Sequence, residues 1–472
     1  MAEVLIVGGG VVGMGLGMLL AHDDHAVTVL ERDSQAAPED PDKAWNNWER
    51  KGVNQFRLPH LFLPRYRQIL ESDLPEVATA LDGDGALRIN PVTDAPETLT
   101  GGPRDGDERY QMLSGRRAVV ERSVTAVAED TPGLSIRRGV TVASLLGAAE
   151  AVSGVPNVQG VRTSDGEELS ADLVVDCSGR RSGLPTWLDA LGARRPDEQL
   201  EDSGFMYLGR HFRSRDGQLP VALGGFLQPY GSISVLTLPA DNDTWSVTVV
   251  ARSGDRALLG LKDVVRWENA IRSLPTVAHW LDGDPIEDRI VTISKIEDRH
   301  RDLRPDGTPV ATGILAVADA WACTNPSVGR GASIGMLHAQ ALRDTLRHTG
   351  PDHRAELSEA FASATAATVE PWYQNTLSFD RHRLAEMAAI AEGATYDPGD
   401  PAYEMTMALT VASMKDPDAF RAFMDIVGVL ALPDAVLGRP GMFEKVIEHG
   451  ADWRHEQVLG PNRDELVAVA TA

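Results

Sequence analysis

The chain opens with a short apolar run, Val4-Leu5-Ile6-Val7, that meets a glycine cluster and passes into an apolar stretch of helical length carrying Gly13 and Gly17. A second strand-length run, Ala26-Val27-Thr28-Val29-Leu30, ends on Glu31. Two strand-length runs flanking one helix predict a βαβ unit with parallel strands, since a helical crossover is the usual way to return a strand in the same direction. Related patterns recur downstream. Ala171-Asp172-Leu173-Val174-Val175-Asp176 reads as a strand before the small-residue turn Cys177-Ser178-Gly179, and 313–320 reads as a buried strand before a loop and a helix from about Ala332 to Leu346. Alternating segments over 158–163 and 168–170 flank Asp165-Gly166, a hairpin signal. The segments 224–227, 232–238 and 245–251 alternate or carry β-branched residues and predict an antiparallel sheet. Residues 89–109, rich in Pro, Gly and Asp, predict an exposed loop or hairpin tip. From about residue 352 the pattern becomes helical, with breaks at Pro398-Gly399-Asp400 and Arg439-Pro440-Gly441.

The fold class expected is α/β, with a discontinuous Rossmann-like domain built from 1–88, 111–200 and 296–350. A loop or hairpin over 89–110 and a β-sheet over 201–295 would form a substrate domain. Residues 351–472 would form a helical extension covering the interface between them. Val7-Gly8-Gly9-Gly10-Val11-Val12-Gly13 fits the G-x-G-x-x-G spacing. Gly8 permits the tight turn, Gly10 lets backbone approach a pyrophosphate at a helix N-terminus, and Gly13 with Gly17 lets helix and strand pack closely. Glu31, eighteen residues past Gly13, falls where an acid takes the hydroxyls of an adenosine ribose, with Arg32 beside it. These features alone serve FAD and NAD equally.

Composition narrows the class. The 472-residue chain is 43% hydrophobic and 24% charged, ordinary globular usage, with no run of about 18 apolar residues. A strand beginning by residue 3 leaves no room for a signal segment, so the cytoplasm is the expected compartment. Cys177 and Cys323 have neither disulfide-framework nor metal-ligand spacing. A formal charge of −24 argues against nucleic acid or an anionic membrane as partner. It also disfavours a strongly anionic substrate unless a local basic pocket intervenes. Abundant alanine and a high arginine-to-lysine ratio point to a GC-rich bacterial source.

Taken with the first unit, Asp319 followed by Asn325-Pro326-Ser327-Val328-Gly329-Arg330-Gly331 resembles the second FAD fingerprint of the flavoprotein monooxygenases. The resemblance implies that Asp319 binds the ribityl chain and that Pro326, Gly329 and Gly331 lie against the pyrimidine edge of the isoalloxazine. Ala318 stands where that family usually has glycine. The meander, strand and Ser178-Gly179 turn resemble the central segment of group A hydroxylases and their epoxidase relatives. NADPH-using aromatic hydroxylases usually carry Asp-Gly there; Ser-Gly is closer to polyether epoxidases, geranylgeranyl reductases and flavin halogenases. Ser114-Gly115-Arg116-Arg117 resembles a helix start whose arginine, here Arg117, contacts FAD phosphate or ribose. The segment from Arg50 to His60 resembles a stretch of actinobacterial epoxidases, with Asn54 in place of a proline and Gln55 its firmest match; it brings Arg50 and Gln55 to the cofactor set.

The reading that follows is an FAD-dependent monooxygenase. One oxygen atom of O2 would pass through a flavin hydroperoxide to an apolar small molecule, by epoxidation or hydroxylation. That chemistry needs no side-chain nucleophile, and no residue is assigned as catalytic and none as a metal ligand. Electrons would come from NAD(P)H directly or through a partner flavin reductase. The alternatives are a reductase of isoprenoid double bonds, a flavin halogenase and a non-catalytic flavin-fold binding protein. Halogenases carry Trp-x-Trp-x-Ile-Pro and a lysine between flavin and substrate, whereas Trp45-Asn46-Asn47-Trp48 has different spacing and no Ile-Pro.

Overall fold

The computed structural model describes residues 1–472 except 54 and 456–458. The reading of Asn54 therefore lies outside the described residues. Five parallel strands form the first sheet, in the order Ile314–Ala316, Leu173–Asp176, Glu3–Val7, Ala26–Glu31, Leu134–Arg138. The three strands that lead into the glycine-bearing motifs are thus adjacent, although more than 300 residues separate the first from the last in the chain. Their carboxyl ends share one edge, the place where open α/β sheets bind ligands.

Close helix packing explains the glycines of the first helix, Val11–His22. A Cβ on Gly17 would lie 3.0 Å from Leu134, and one on Gly15 would lie 2.7 Å from the Met336 sulfur on helix Gly331–Thr349. That second helix returns the approach, since a Cβ on Gly335 would lie 2.6 Å from Val12. Both helices begin at the carboxyl edge of the parallel sheet, capped by Gly10 and Arg330 without any side-chain cap, so their first N–H groups stay available.

The sheet of the expected substrate domain is antiparallel: Leu227–Tyr230, Ile233–Ala240, Thr244–Arg252 and Phe205–Arg213, with Asp284–Pro285 and Val291–Ile293 on the outer strand. Both faces are buried, which is why apolar residues occupy successive positions. Met206, Leu208, Val247 and Val249 pack behind it on Trp267 and Ile271 of helix Val264–Arg272 and on Leu466 and Ala470 of the last helix, Arg463–Thr471. Phe205, Tyr207, Thr248 and Val250 face the other way, into the central cavity. Arg116 joins the two parts of the molecule. Fully buried, it donates to Asp241 through Nη2 at 2.7 Å, and its backbone N–H donates to the same carboxylate at 2.6 Å. Removing either partner would strand a buried charge.

Three local expectations are corrected. Residues 89–109 are exposed at about half their positions but are not a free tip: Asn90, Thr100 and Asp107 are buried. Helix Pro417–Val427 lies on them, and Arg421 donates to the Thr100 and Gly102 carbonyls and to Asp107 at 2.7–2.9 Å. Turn-rich composition reports backbone shape and is blind to a partner 300 residues away. The segment 224–227 is loop up to Leu227, because its paired glycines do not join the ladder. The strand expected over 313–320 spans only Ile314–Ala316, after which the chain turns into a 3-10 helix, Ala318–Ala320.

Further sheets fill the joins. Pro59–Phe62, Met112–Arg116 and Leu87–Ile89 pair antiparallel, as do Asp197–Asp202, Glu297–Asp302 and Ala322–Cys323. Among the described residues no helix is long and apolar enough to cross a membrane.

Candidate cofactor and substrate cavity

One cavity of about 1810 Å³ runs from the carboxyl edge of the parallel sheet to the inner face of the substrate sheet. A typical small-molecule site occupies roughly 300–1,000 Å³, so this one has room for a dinucleotide cofactor and a second molecule together. Gly8, Gly10, Gly13, Glu31, Arg32, Arg50, Gln55, Arg117, Asp319, Pro326, Gly329 and Gly331 all border it.

At the first motif the glycines divide their roles. Gly8 has φ +107°, a conformation other residues rarely adopt, and a Cβ there would lie 2.5 Å from the Cys177 carbonyl. A Cβ on Gly13 would lie 2.0 Å from the Gly8 carbonyl oxygen. A Cβ on Gly10 would meet nothing within 4 Å and would project into open space at the helix start. The turn therefore needs Gly8 and Gly13 for its own shape, and Gly10 leaves its space for something else.

Glu31 sets the rim. Its carboxylate accepts from the N–H groups of Gly9 and Asp33 at 2.9 and 2.8 Å and from Arg50 Nη2 at 2.8 Å. Arg50, buried, also bonds Gly9 O, Asp33 and Glu121, so burial and three carboxylates surround a single guanidinium. Arg50 thus organises the acidic rim from behind. Arg117 bonds Glu121 at 2.8 Å while bordering the cavity; its neighbour Arg116 is consumed by Asp241, which leaves Arg117 as the cavity-side arginine of the pair. Arg180 and Arg181, from the Ser178-Gly179 turn, add further positive charge. The chain is strongly acidic overall, yet Arg32, Arg50, Arg117, Arg180 and Arg181 gather at this end of the cavity beside Glu31 and Asp319.

Gln55 and His60 face each other, Oε1 to Nε2 at 3.2 Å, with His60 Nδ1 3.1 Å from the Leu58 carbonyl. Burial and the Arg117 charge hold His60 down to about 3, so it is a neutral wall of the cavity. Asp176 shapes the middle turn by accepting from the Ser178 N–H and hydroxyl at 2.9 and 2.5 Å and from the Ser182 hydroxyl.

At the third motif Asp319 is half-buried and makes no hydrogen bond among the described residues. Burial pushes its carboxyl up, and the charges of Arg180 and Arg117 pull it back. Its position is fixed by residues absent from the sequence reading. Arg301, fully buried, donates to the Ala320 carbonyl at 2.7 Å. His338 Nδ1 accepts from the Ala318 N–H at 3.1 Å, and Nε2 faces Thr365 Oγ1 at 3.0 Å. The Ala318 bond assigns the Nε2–H tautomer, and burial holds the ring near 3 and therefore neutral. Trp321 packs against His300 and His338 and still borders the cavity.

Ala318 itself has φ +56°. The position requires a left-handed backbone, which is the physical reason for glycine in the family pattern. Ala318→Gly is therefore expected to stabilise the fold by about 0.5–1 kcal/mol, the relief of left-handed strain less the entropy of a freer unfolded chain. Equilibrium urea unfolding of the two proteins checks this, and a destabilised variant would contradict it.

The far end of the cavity is apolar. Phe379, Met407, Met414, Phe420, Phe423 and Met424, from helices Glu370–Ala391, Pro401–Ala412 and Pro417–Val427 and the turn after the second, close it. None of the described residues lining the cavity is lysine.

Comparison with known proteins agrees with this architecture. The tryptophan halogenase family model matches residues 120–191, the span from the helix after Arg117 through the meander and the Ser-Gly turn. Protein Rv3254 of Mycobacterium tuberculosis is 25% identical over 397 residues, 79% of each chain. The Diels-Alderase PyrE3 of pyrroindomycin biosynthesis superposes with a TM-score of 0.60 at 20% identity, covering 91% of this chain and 82% of its own. PqsL of Pseudomonas aeruginosa, a probable FAD-dependent monooxygenase, gives 0.57 at 18% identity over 90% of this chain and 99% of its own. The chain has the fold of the FAD-dependent monooxygenases.

Proposed function

We propose that the chain binds FAD and uses it to place one oxygen atom of O2 on an apolar small molecule. The observation that carries this reading is the single cavity joining a dinucleotide cradle to an apolar chamber between the substrate sheet and the C-terminal helices. The residues present fit FAD. Gly10 leaves open space at a helix start, the lining arginines would face a pyrophosphate, Glu31 offers a rim carboxylate, and Asp319 presents one with no hydrogen-bond partner among the described residues. Bound there, FAD would store electrons from NAD(P)H and activate O2. The chain's own work is to bind, to orient an apolar substrate, and to exclude water by closing the chamber with Met and Phe side chains.

The halogenase reading draws support from the match over 120–191. That match ends inside the cofactor half, and the chamber has no lining lysine. A reductase of isoprenoid double bonds would use the same cradle. Oxygen uptake by the purified flavoprotein, with NADPH, an added flavin reductase and a panel of alkenes and phenols, separates these. Uptake matched to a product heavier by one oxygen is expected. A reduced alkene, a halogenated product or a rearranged product without oxygen uptake would overturn the reading.

For the electrons we favour a partner reductase. Among the described residues no second glycine βαβ unit appears, and Ser178-Gly179 stands where aromatic hydroxylases that use NADPH directly usually carry Asp-Gly. Rapid mixing with NADPH alone is expected to bleach the flavin slowly. Fast bleaching that substrate accelerates would establish direct reduction.

A further inference from the structure

Behind the glycine loop of the third motif lies a buried polar cluster that cofactor binding does not explain. Asp380, on helix Glu370–Ala391, is 2% exposed, and its Oδ1 accepts from the Ser327 hydroxyl at 2.5 Å. Asn325 accepts from the Tyr207 hydroxyl at 2.6 Å, and its N–H donates to Asp298 at 2.6 Å. Two aspartates, a tyrosine, an asparagine and a serine thus meet where the loop touches the substrate sheet. Asn325 lies beside Asp380 as a second hydrogen-bonding group, and Arg330 Nε is buried with no partner among the described residues. Asp380, Asn325, Ser327, Tyr207 and Arg330 all border the cavity.

We propose that Asp380 holds the proton that each oxygen transfer consumes, and that the Ser327 hydroxyl passes it into the cavity. This rests on the monooxygenase reading. The balance is substrate + O2 + NAD(P)H + H⁺ giving oxygenated substrate + H2O + NAD(P)⁺. The proton leaves the Asp380 carboxyl for Ser327 Oγ as Ser327 releases its own proton toward the oxygen that becomes water. Asp380 is left as a carboxylate and is reprotonated from solvent. A hydroxyl can carry this exchange because it donates and accepts at once.

The surroundings suit an exchangeable proton near neutrality. Burial raises Asp380 to about 7, with the charge of Asp298 adding to the rise and Ser327, Asn325 and Arg330 opposing it. Asp298 is raised to about 6, mainly by burial, and faces Glu201, Arg180 and Arg381. Arg383, one turn along the same helix, is held by the Gly231 and Ile233 carbonyls, Ser234 and Glu386. A group raised in the folded state stabilises fully below its unfolded pKa and loses that contribution as pH rises through the folded value.

The test uses the flavoprotein as purified, with its own bound flavin as probe. The melting temperature of the native protein should fall, relative to that of Asp380→Asn, as pH rises from about 4 to about 7 and level off above that, and the visible spectrum of the bound flavin should shift around pH 7, where the folded carboxyl titrates. Asp380→Asn should remove both transitions, whereas Ser327→Ala should keep both, moved to higher pH because the Ser327 hydroxyl holds Asp380 down, and should slow oxygen uptake coupled to product. A constant melting offset between native protein and Asp380→Asn at every pH would mean a structural role and overturn the proposal. So would undiminished product-coupled oxygen uptake in Ser327→Ala, which decides the matter even if Asp380→Asn fails to fold. A preparation without flavin that still shows the melting difference would overturn the flavin reading and leave the buried acid standing.

Discussion

Gly10→Val is expected to give a folded, colourless protein. Gly10 caps the first helix with φ −80° and ψ 178°, extended geometry that valine adopts freely, and its Cβ would touch no protein atom within 4 Å. The cost to the fold is therefore that of a poorer helix cap, about 1 kcal/mol. The cost to the cofactor is large, because the new side chain fills the space through which a pyrophosphate reaches the helix N–H groups. Losing two charge-assisted hydrogen bonds at about 1.5–3 kcal/mol each weakens binding by roughly 10²–10⁴-fold. Gly13→Val should behave in the opposite order. Its Cβ would overlap the Gly8 carbonyl, 2.0 Å away, so the turn itself must break and the protein should fail to fold. Flavin content and circular dichroism of both variants check the pair. A yellow Gly10→Val protein would show that the first motif is a packing device only.

What could be read from the chain and what could not divides along a physical line. The strands leading to Gly8, Ser178 and Asp319 were legible because a left-handed turn or a close backbone approach is a local demand that only certain residues meet. The side chains that hold those turns in place were not. Arg301 and His338 lie 18 and 19 residues from Asp319 in the chain and reach its turn only through the fold. Arg116 finds Asp241 across 125 residues, and the consequence, that Arg117 rather than Arg116 borders the cavity, depends on that partner. Asp380 sits in a helix whose pattern marks it only as one more polar position. Its meaning appears when Ser327 and Asp298 arrive from two other elements. The misread segment over 89–110 failed for the same reason, since Arg421 supplies from the C-terminal helices the partners that its own composition lacks. At Ala318 the sequence marked an unusual residue but not its reason, since the left-handed φ of +56° appears only in the folded backbone.

Asp319→Ala should loosen FAD without disturbing the fold. The aspartate sits in a turn that Arg301 fixes through the Ala320 carbonyl and His338 through the Ala318 N–H, and neither bond uses the Asp319 side chain. Its carboxylate faces the cavity with no hydrogen bond among the described residues, so removing it leaves no protein group unpaired. The loss falls on the ligand alone. One charge-assisted bond to a ribityl hydroxyl is worth about 1.5–3 kcal/mol, so the dissociation constant should rise about 10- to 150-fold per bond lost. The charge matters as well as the shape. Burial raises the Asp319 carboxyl, with Arg180 and Arg117 opposing, so the native protein should hold FAD less tightly as acid neutralises it. Asp319→Asn keeps the acceptor geometry but cannot titrate, and its FAD affinity should be intermediate and flat over the same range. Fluorescence titration of apoprotein with FAD, at several pH values and for all three proteins, reads both effects. Equal affinities throughout would place the ribityl chain elsewhere in the cavity and remove Asp319 from the cofactor set.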